Sequence, residues 1–265
     1  MDLHVIRDVA VASAYQGAEI LRNRFGRLAR VEKKGVIDLV TDADLQSEKR
    51  IKHCIQSTFP DHRILAEESG TVGGSGSDRL WIVDPLDGTT NYAHRVGLYA
   101  VSIAFSHGGK VVVGVVLNPA SGELFVAVSG EGATCNGRPI RVSNVGTVNE
   151  SLLATGFPYN VRDEHAAVLA RFSACLRAAQ GIRRLGSAAL DLCWVACGRF
   201  EAFWEQYLQP WDTAAGMLLV REAGGRVTDF AGSAFSPEQD EILATNGAVH
   251  TEMQDLLRLD APDFG

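Results

Sequence analysis

Cysteine, clustered basic residues and long apolar runs are all scarce in this sequence. Its five cysteines are odd in number and scattered over 265 residues, which argues against a disulfide framework. Lysine and arginine total 25 against 32 acidic residues, and they form no patch that would bind nucleic acid or an anionic membrane. No run approaches the roughly 18 apolar residues that a membrane span needs, and an N-terminus with Asp2 and Asp8 does not resemble a secretory signal. We therefore expect a cytoplasmic protein.

Apolar residues and acids are what the chain has in quantity. It is 46% hydrophobic, which suffices for a sizeable core, and its formal net charge is −7. No linker or internal repeat divides it. We therefore predict one domain over 1–265 with two packed halves, an α+β half over 1–148 and an α/β half over 149–265.

Apolar periodicity predicts helices and strands along the whole chain. Helices are expected over 2–24, 42–58, 162–179, 210–222 and 248–258, with a further one opening near 185. Strands are expected at 63–66, 81–83, 99–105, 110–117, 123–128, 140–142, 151–155, 200–205, 226–230 and 241–244. Residues 33–41 suit a hairpin or a flap, the Gly/Ser-rich stretch 70–78 a surface loop, and Asn136-Gly137 a hairpin turn. Strands gathered in the first half predict a layered α+β fold instead of a regular β-α alternation.

The most informative stretch covers residues 81–91. Its first three residues are aromatic or β-branched, as in a buried strand, and Pro85, which cannot donate to a ladder, is expected to end that strand. Asp84 and Asp87 then lie at a strand end, where Gly88 and the N–H groups after it could open a helix that faces an anion. Acids bind hard cations, and cations together with N–H groups bind phosphate. The stretch therefore predicts a metal-dependent site for a phosphate ester.

Two further acids lie in comparable places. Glu67 follows an expected strand and Asp212 opens an expected helix, so both could meet Asp84 and Asp87 at one cleft. Carboxylates so close together repel one another unless cations bind, and hard oxygen ligands select Mg²⁺, Mn²⁺ or Ca²⁺. Two such ions about 4 Å apart would clamp a phosphoryl group and activate water.

Two other kinds of site compete for the same acids. An EF-hand loop beginning at Asp84 would place Leu86 at its third position and Arg95 at its twelfth, where calcium needs oxygen ligands, so that hypothesis fails. A phosphatase of the haloacid dehalogenase type, which forms an aspartyl phosphate, has two acids separated by one residue at a strand end, whereas two residues separate Asp84 from Asp87. A covalent aspartate is therefore the less favoured alternative.

Four motifs, in this order, resemble those of the inositol monophosphatase family, the lithium-sensitive Mg²⁺ phosphatases. They are Asp38-Leu39-Val40-Thr41-x-x-Asp44, Ala66-Glu67-Glu68-Ser69, the octapeptide from Asp84 to Asn91, and the hexapeptide from Trp211 to Gly216. Residues 186–192 are similar to the bacterial branch. The resemblance covers nearly the whole chain. It implies the α/β/α/β/α sandwich that the family shares with fructose-1,6-bisphosphatases, and a homodimer.

The resemblance also implies a set of metal ligands. One Mg²⁺ would lie on Glu67, Asp84 and the carbonyl of Leu86, and a second among Asp84, Asp87 and Asp212. A third, weaker ion would lie near Glu67. Mn²⁺ could replace Mg²⁺, whereas Ca²⁺ and Li⁺ would inhibit.

By the same resemblance, Gly88, Thr89 and Thr90 would hold the phosphate. Thr89 with Asp44, assisted by Glu67, would orient the attacking water. The attack would be direct and in line, without a phosphoenzyme.

Other matching positions concern the substrate. Those that would meet the hydroxyls of a sugar are Asp87, Gly186, Ser187, Ala188, Glu205 and Asp212. Carboxylates suit this task because they accept hydrogen bonds from O–H donors. Lys33 matches a flap lysine near the metals, and Arg183 and Arg184 could bind a second phosphate.

We therefore predict a Mg²⁺-dependent phosphoric monoester hydrolase for myo-inositol 1-phosphate or a related polyol or sugar monophosphate. Fructose 1,6-bisphosphate, histidinol phosphate and 3′-phosphoadenosine phosphate are alternative substrates within the same family. A regulatory protein that binds the transcription machinery is an alternative of another class, although nothing in the sequence itself indicates that partner.

Overall fold

Two large sheets with helices on both sides make up the fold. The computed structural model describes residues 1–27, 31–33, 39–74, 78–158, 161–162 and 165–259, and of 31–33 and 39–40 the backbone alone. The helices are α1 (Leu3–Arg24), α2 (Asp42–Thr58), α3 (Thr89–Ala93), α4 (Ala166–Ala178), α5 (Ala188–Ala196), α6 (Pro210–Glu222) and α7 (His250–Leu257). The strands are β1 (Val31–Lys33), β2 (Leu39–Thr41), β3 (Arg63–Ala66), β4 (Gly70–Val72), β5 (Arg79–Asp87), β6 (Ala100–His107), β7 (Lys110–Asn118), β8 (Glu123–Val128), β9 (Gly132–Cys135), β10 (Arg138–Pro139), β11 (Leu152–Thr155), β12 (Gly181–Arg183), β13 (Ala202–Gln206), β14 (Arg226–Thr228) and β15 (Glu241–Thr245). Among these described helices, none has both the length and the apolar character needed to cross a membrane.

The first sheet has eight strands in the order β10-β9-β8-β7-β6-β5-β3-β4. The predicted meander over 99–128 is confirmed, since β5 to β10 pair antiparallel in sequence order, and β3 is parallel to β5. Its central strands are apolar on both faces: β6 is buried from Ala100 to Ser106, as expected for a sheet that is covered on both sides.

The second sheet has five strands in the order β12-β11-β13-β15-β14. β12, β11 and β13 are parallel, whereas β15 runs antiparallel to both of its neighbours. Parallel strands end at the same edge of a sheet. The residues at the ends of β11, β12 and β13 therefore gather at one edge of the sheet.

The helices form three layers around these sheets. α1 and α2 pack on the outer face of the first sheet, α5 and α6 lie between the two sheets, and α4 and α7 cover the outer face of the second. Each interface has its own buried apolar cluster. α5 is buried on nearly all sides, as a helix between two sheets must be. The predicted α+β fold with an α/β/α/β/α order is confirmed.

The inner helix layer depends on two glycines, because a side chain at either position would clash with the neighbouring element. A Cβ on Gly216 of α6 would lie 2.5 Å from Leu192 Cδ1 of α5, and one on Gly114 of β7 would lie 2.8 Å from the Ala215 carbonyl oxygen. Both distances are shorter than real Cβ contacts. These two glycines therefore let α6 touch both α5 and the first sheet.

One correction concerns Pro85, which does not end its strand. β5 continues to Asp87, and its pairing with β6 shifts register between Asp84 and Asp87. A residue in such a bulge needs no N–H for the ladder, which is why proline is tolerated inside this strand.

Two other local predictions were wrong. Gly70–Val72, expected in a surface loop, forms β4 and pairs antiparallel with β3. The strand after the Asn136-Gly137 turn is Arg138–Pro139 instead of 140–142, because the chain then leaves the sheet and Val142 N donates to the carbonyl of Ala223. The turn itself is confirmed, since both of its central residues have positive φ angles.

Candidate active site

The loop after Asp84 is fixed by Gly88. Gly88 has φ 90°, in the left-handed region, and a Cβ there would lie 2.9 Å from the carbonyl oxygen of Leu98 and 3.1 Å from that of Gly186. A side chain is excluded by both the angle and the space. Helix α3 begins at the next residue, Thr89, so the predicted helix start is confirmed.

Three acids converge at this loop. One carboxylate oxygen from each of Asp84, Asp87 and Asp212 lies within 4.8 Å of the other two. Asp84 and Asp87 come from the bulged end of β5, and Asp212 comes from the first turn of α6, where its side chain accepts a 2.7 Å hydrogen bond from Gln209 N. Asp84 Oδ1 accepts one from Leu86 N at 2.9 Å. A backbone N–H group thus donates to one carboxylate oxygen of Asp212 and another to one of Asp84.

The three carboxyl groups resist ionisation in this arrangement. Burial raises the pKa of Asp84 well above its usual range, and the charges of Glu67, Asp87 and Asp212 raise it further. The pKa of Asp212 is raised by burial and by Asp87. Burial raises the pKa of Asp87 to about 6 although Ser187 and Ala189 donate hydrogen bonds to it. A hard divalent cation would offset this repulsion, and an all-oxygen donor set fits such an ion.

Thr89 and Asp44 form a buried pair behind the acids. Thr89 Oγ1 lies 3.1 Å from Asp44 Oδ1 and 3.1 Å from the Leu86 carbonyl oxygen, so its proton can be donated to either. Thr41, the N-cap of α2, donates from N and Oγ1 to Asp44 Oδ2. Burial raises the pKa of Asp44 to about 6. The capping box of α2 therefore positions the carboxylate that orients Thr89.

The opposite side of the cavity comes from the second sheet and α5. Glu205 ends the buried part of β13, Gly156 follows β11, and Arg184 follows β12. Ser187, the N-cap of α5, donates to Asp87 Oδ2 at 2.5 Å, and Ala189 N donates to the same oxygen at 2.8 Å. The N-terminus of α5 thereby holds an acid of the other sheet.

A cavity of about 380 Å³ connects the two sides. It brings together most of the predicted site residues, namely Glu67, Asp84, Leu86, Asp87, Gly88, Thr89, Thr90, Arg184, Gly186, Ser187, Ala188, Glu205 and Asp212. Asp44 lies behind Thr89. Arg183 does not line the cavity: it is exposed in β12 and bonds to the Ile182 carbonyl. The predicted role of Lys33 concerns a side chain outside the described part of the structure.

Sequence reasoning missed four residues here. Asp191 lies beside the cavity, is 1% exposed, and its Oδ1 has no hydrogen-bond partner among the described residues. Burial and the charges of Glu205 and Asp87 raise its pKa well above the usual range. The signal was its place in the first turn of α5, whose N-cap Ser187 is itself a predicted site residue.

The other missed residues are Asn91, Gly156 and Phe157. Asn91 Nδ2 donates to the carbonyl oxygens of Leu98 and Leu185, at 2.7 and 2.8 Å, and so ties the loop of the first sheet to the segment before α5. The Arg184 guanidinium lies over the Phe157 ring at 5.6 Å. Nothing in their local sequence indicates these contacts, which join residues far apart in the chain.

Comparison with known proteins agrees with this geometry. The family model described as Inositol monophosphatase family matches residues 2–259. An inositol-1-monophosphatase of Synechocystis is 45% identical over 242 residues, covering 91% of this chain and 84% of its own. A Pseudomonas aeruginosa protein named Nus factor SuhB is 43% identical over 245 residues, covering 90% of each chain. The inositol monophosphatase structure from Anabaena superposes with a TM-score of 0.89 at 41% identity, covering 97% of this chain and 96% of that one.

The fold and the acidic cavity thus define a phosphoric monoester hydrolase of a metal-dependent class. The chain belongs to the inositol monophosphatase family.

Proposed function

We propose that the protein hydrolyses myo-inositol 1-phosphate, or a closely related polyol or sugar monophosphate, with Mg²⁺ as its metal. The main supporting observation is that one cavity has a cluster of acids suited to a metal ion at one side and a separate acid suited to hydroxyl groups at the other. Asp84, Asp87 and Asp212 lie within 4.8 Å of one another at one side. Glu205 faces the same cavity from the other side, where it could accept hydrogen bonds from hydroxyl groups.

Mg²⁺ would be held by Glu67, Asp84, the Leu86 carbonyl, Asp87 and Asp212. When bound, it would lower the pKa of a water ligand and neutralise charge that develops on the leaving oxygen. The buried, mutually repelling carboxyls of these residues support a divalent ion, and their oxygen chemistry favours Mg²⁺ or Mn²⁺ over a thiophilic metal.

The protein's own groups would position the water. Since Thr89 Oγ1 can donate its proton to Asp44, its lone pairs are left to accept a hydrogen bond from the attacking water. When the hydroxyl donates to Asp44 in this way, its orientation suits the water, and Glu67 would assist. This geometry favours attack by water itself and needs no covalent aspartate. The N–H groups from Gly88 to Thr90 would hold the phosphate oxygens.

The leaving group would lie toward α5 and the second sheet. Asp87, Gly186, Ser187, Ala188, Glu205 and Asp212 are the residues proposed to meet its hydroxyls. Carboxylates there would make strong hydrogen bonds with O–H donors. A hydroxylated leaving group therefore fits this side better than an apolar one.

The decisive experiment is a panel of phosphate esters assayed with Mg²⁺ and with a chelator. It contains myo-inositol 1-phosphate, fructose 1,6-bisphosphate, histidinol phosphate, 3′-phosphoadenosine phosphate and p-nitrophenyl phosphate. We expect the highest kcat/KM for the inositol ester, and no turnover of any ester without the metal. A higher kcat/KM for another ester would replace the proposed substrate, and turnover in chelator would overturn the metal dependence.

A second role is favoured by the relative named Nus factor SuhB. Binding of the transcription machinery would be an additional function, because the complete acid set argues against a purely non-catalytic protein. Binding that persists in an Asp84→Asn protein without turnover would reveal it. A homodimer, inhibition by Li⁺ and Ca²⁺, and a cytoplasmic location stay predictions that sedimentation, inhibition assays and fractionation can test.

A further inference from the structure

Gly156 lies where the second sheet meets the cavity. It directly follows β11, which pairs parallel with β13 through Thr155 and Trp204. In this register Gly156 is beside Glu205, and Thr155 Oγ1 donates to the Trp204 carbonyl at 2.8 Å, which holds the two strands together at this point. Neighbouring residues of paired strands direct their side chains to the same face. A side chain at position 156 would therefore compete with that of Glu205.

The Glu205 carboxylate occupies the space that such a side chain would need. A Cβ built on Gly156 would overlap Cδ and both carboxylate oxygens of Glu205. The φ angle of Gly156 is not in the left-handed region, so alanine could adopt this backbone conformation. The requirement for glycine here is one of space and not of backbone angle.

The overlap involves the end of a flexible side chain, so it can be relieved by moving that end. Glu205 is 8% exposed and faces the cavity. The charges of Asp191 and Asp87 lie near it, and that of Arg184 is its cationic neighbour. A side chain at 156 would displace the carboxylate from this setting while the strands stay in place.

We propose that Gly156 determines leaving-group specificity by leaving the space in which the Glu205 carboxylate lies. This rests on the proposed function, in that Glu205 meets a hydroxyl of the leaving group. Gly156 is a positioning residue, since it acts through Glu205. Substrates with an aliphatic hydroxyl remote from the phosphate should depend on it most.

The test compares Gly156→Ala with Gly146→Ala. Gly146 is exposed, has an ordinary φ angle, and has no atom within 4 Å of a Cβ built there, so its variant should match the wild type. For each protein, kcat/KM is measured for myo-inositol 1-phosphate and for p-nitrophenyl phosphate, whose leaving group has no aliphatic hydroxyl. We expect the ratio of kcat/KM for myo-inositol 1-phosphate to kcat/KM for p-nitrophenyl phosphate to fall about tenfold in Gly156→Ala, as the loss of one hydrogen bond to Glu205 predicts. The fall should come mainly from KM.

Glu205→Asp provides the matched rescue. Aspartate is shorter by one methylene, so the Gly156→Ala/Glu205→Asp protein removes the overlap. We expect Gly156→Ala to lower the ratio much less in the Glu205→Asp background than in the wild type. Equal losses in both backgrounds, or an equal loss for both substrates, would overturn the proposal. So would a Gly156→Ala protein that fails to fold and is not rescued by Glu205→Asp.

Failure of the proposed function gives a different pattern. If wild type prefers another hydroxylated ester of the panel, the ratio is taken with that ester, and the expected coupling to Glu205 is unchanged. If wild type does not discriminate between hydroxylated and plain esters, both the leaving-group role of Glu205 and the role of Gly156 are wrong.

Discussion

The two sides of the cavity are built in opposite ways. The first-sheet end, Glu67, Asp84, Leu86, Asp87 and Thr89, comes mostly from one bulged strand and the turn after it. The second-sheet end, Gly156, Arg184, Asp191 and Glu205, comes from four separate segments that meet only in the fold. Asp212 of α6 joins the first group.

We expect this difference to separate the residues that determine the rate of hydrolysis from those that determine selectivity between substrates. Under the proposed function every phosphate ester would present the same phosphoryl group to the first-sheet end, so changes there should reduce kcat for all substrates. Leaving groups differ, and under the proposed function they would lie mainly against the second-sheet end. Changes there should alter the ratio of kcat/KM between substrates. Variants of the two ends can confirm or break this division.

Asp84→Asn should have the largest effect. It removes a charge from the centre of the acid cluster, and losing the stabilisation that a metal ion supplies, several kcal/mol, would lower kcat on the order of a thousandfold for every ester. Asp255→Asn, at a surface position, serves as the control. A loss restricted to the inositol ester would contradict the division between the two ends.

Thr89→Ala should lower kcat by about a hundredfold, which is the lower range for a group that positions a proton in the transition state. Thr89→Ser keeps the hydroxyl that bonds to Asp44 and should retain most of the activity. Steady-state kinetics with two esters checks both variants. Equal losses in the alanine and serine variants would show that the methyl group, and not the hydroxyl, is what matters.

The stabilisation of the folded protein by Mg²⁺ should increase with pH. The pKa of Asp87 is raised to about 6 and that of Glu205 to about 8, in each case mainly by burial. The folded state therefore keeps protons that the unfolded state releases, so stability falls as the pH rises from about 4.5 to 8. The rise in Tm on adding Mg²⁺, about 5 °C at saturation, should be larger at pH 8 than at pH 6.

Thermal melts in chelator and in Mg²⁺ at the two pH values measure this difference. Asp84→Asn should reduce the Mg²⁺-dependent rise at both. A rise that is equal at pH 6 and pH 8 in the wild type would indicate that the metal binds away from the titrating acids.

Arg184→Ala should have the smallest effect. Arg184 is exposed, and an exposed charge contributes little to binding, so KM for fructose 1,6-bisphosphate should rise about fivefold. Arg183→Ala is the matched control because Arg183 does not line the cavity. Equal effects of the two variants would remove the second-phosphate role from Arg184.

How far the sequence could predict this molecule follows the same division. Asp84 and Asp87 are close in sequence at the end of an apolar strand, and Glu67 directly follows another strand, so their local pattern and the family resemblance both indicate them. The distribution of predicted strands and helices indicated a layered α+β fold, whereas the α/β/α/β/α order came from the family resemblance. β4 was missed because its Gly/Ser-rich surroundings are typical of a loop, although the stretch pairs with β3.

The second-sheet end could be predicted only in part. Glu205 was found through the resemblance, whereas Gly156 was not. The proposed role of Gly156 depends on the absence of a side chain where the carboxylate of Glu205, 49 positions away, lies. Pro85 misled the prediction because its effect on a strand depends on whether a bulge removes the need for its N–H. Both features depend on the register of paired strands, which a single sequence does not reveal.

The Asn91 side chain has a consequence for the size of substrates. Its amide binds the carbonyls of Leu98 and Leu185, so the turn that would receive the phosphate and the segment that leads to α5 are joined by one rigid group. Moving this turn away from the segment before α5 would break the bond to the Leu185 carbonyl. We therefore expect an ester of a different length to be accommodated mainly by side-chain rotation, with the distance between the turn and this segment kept nearly constant.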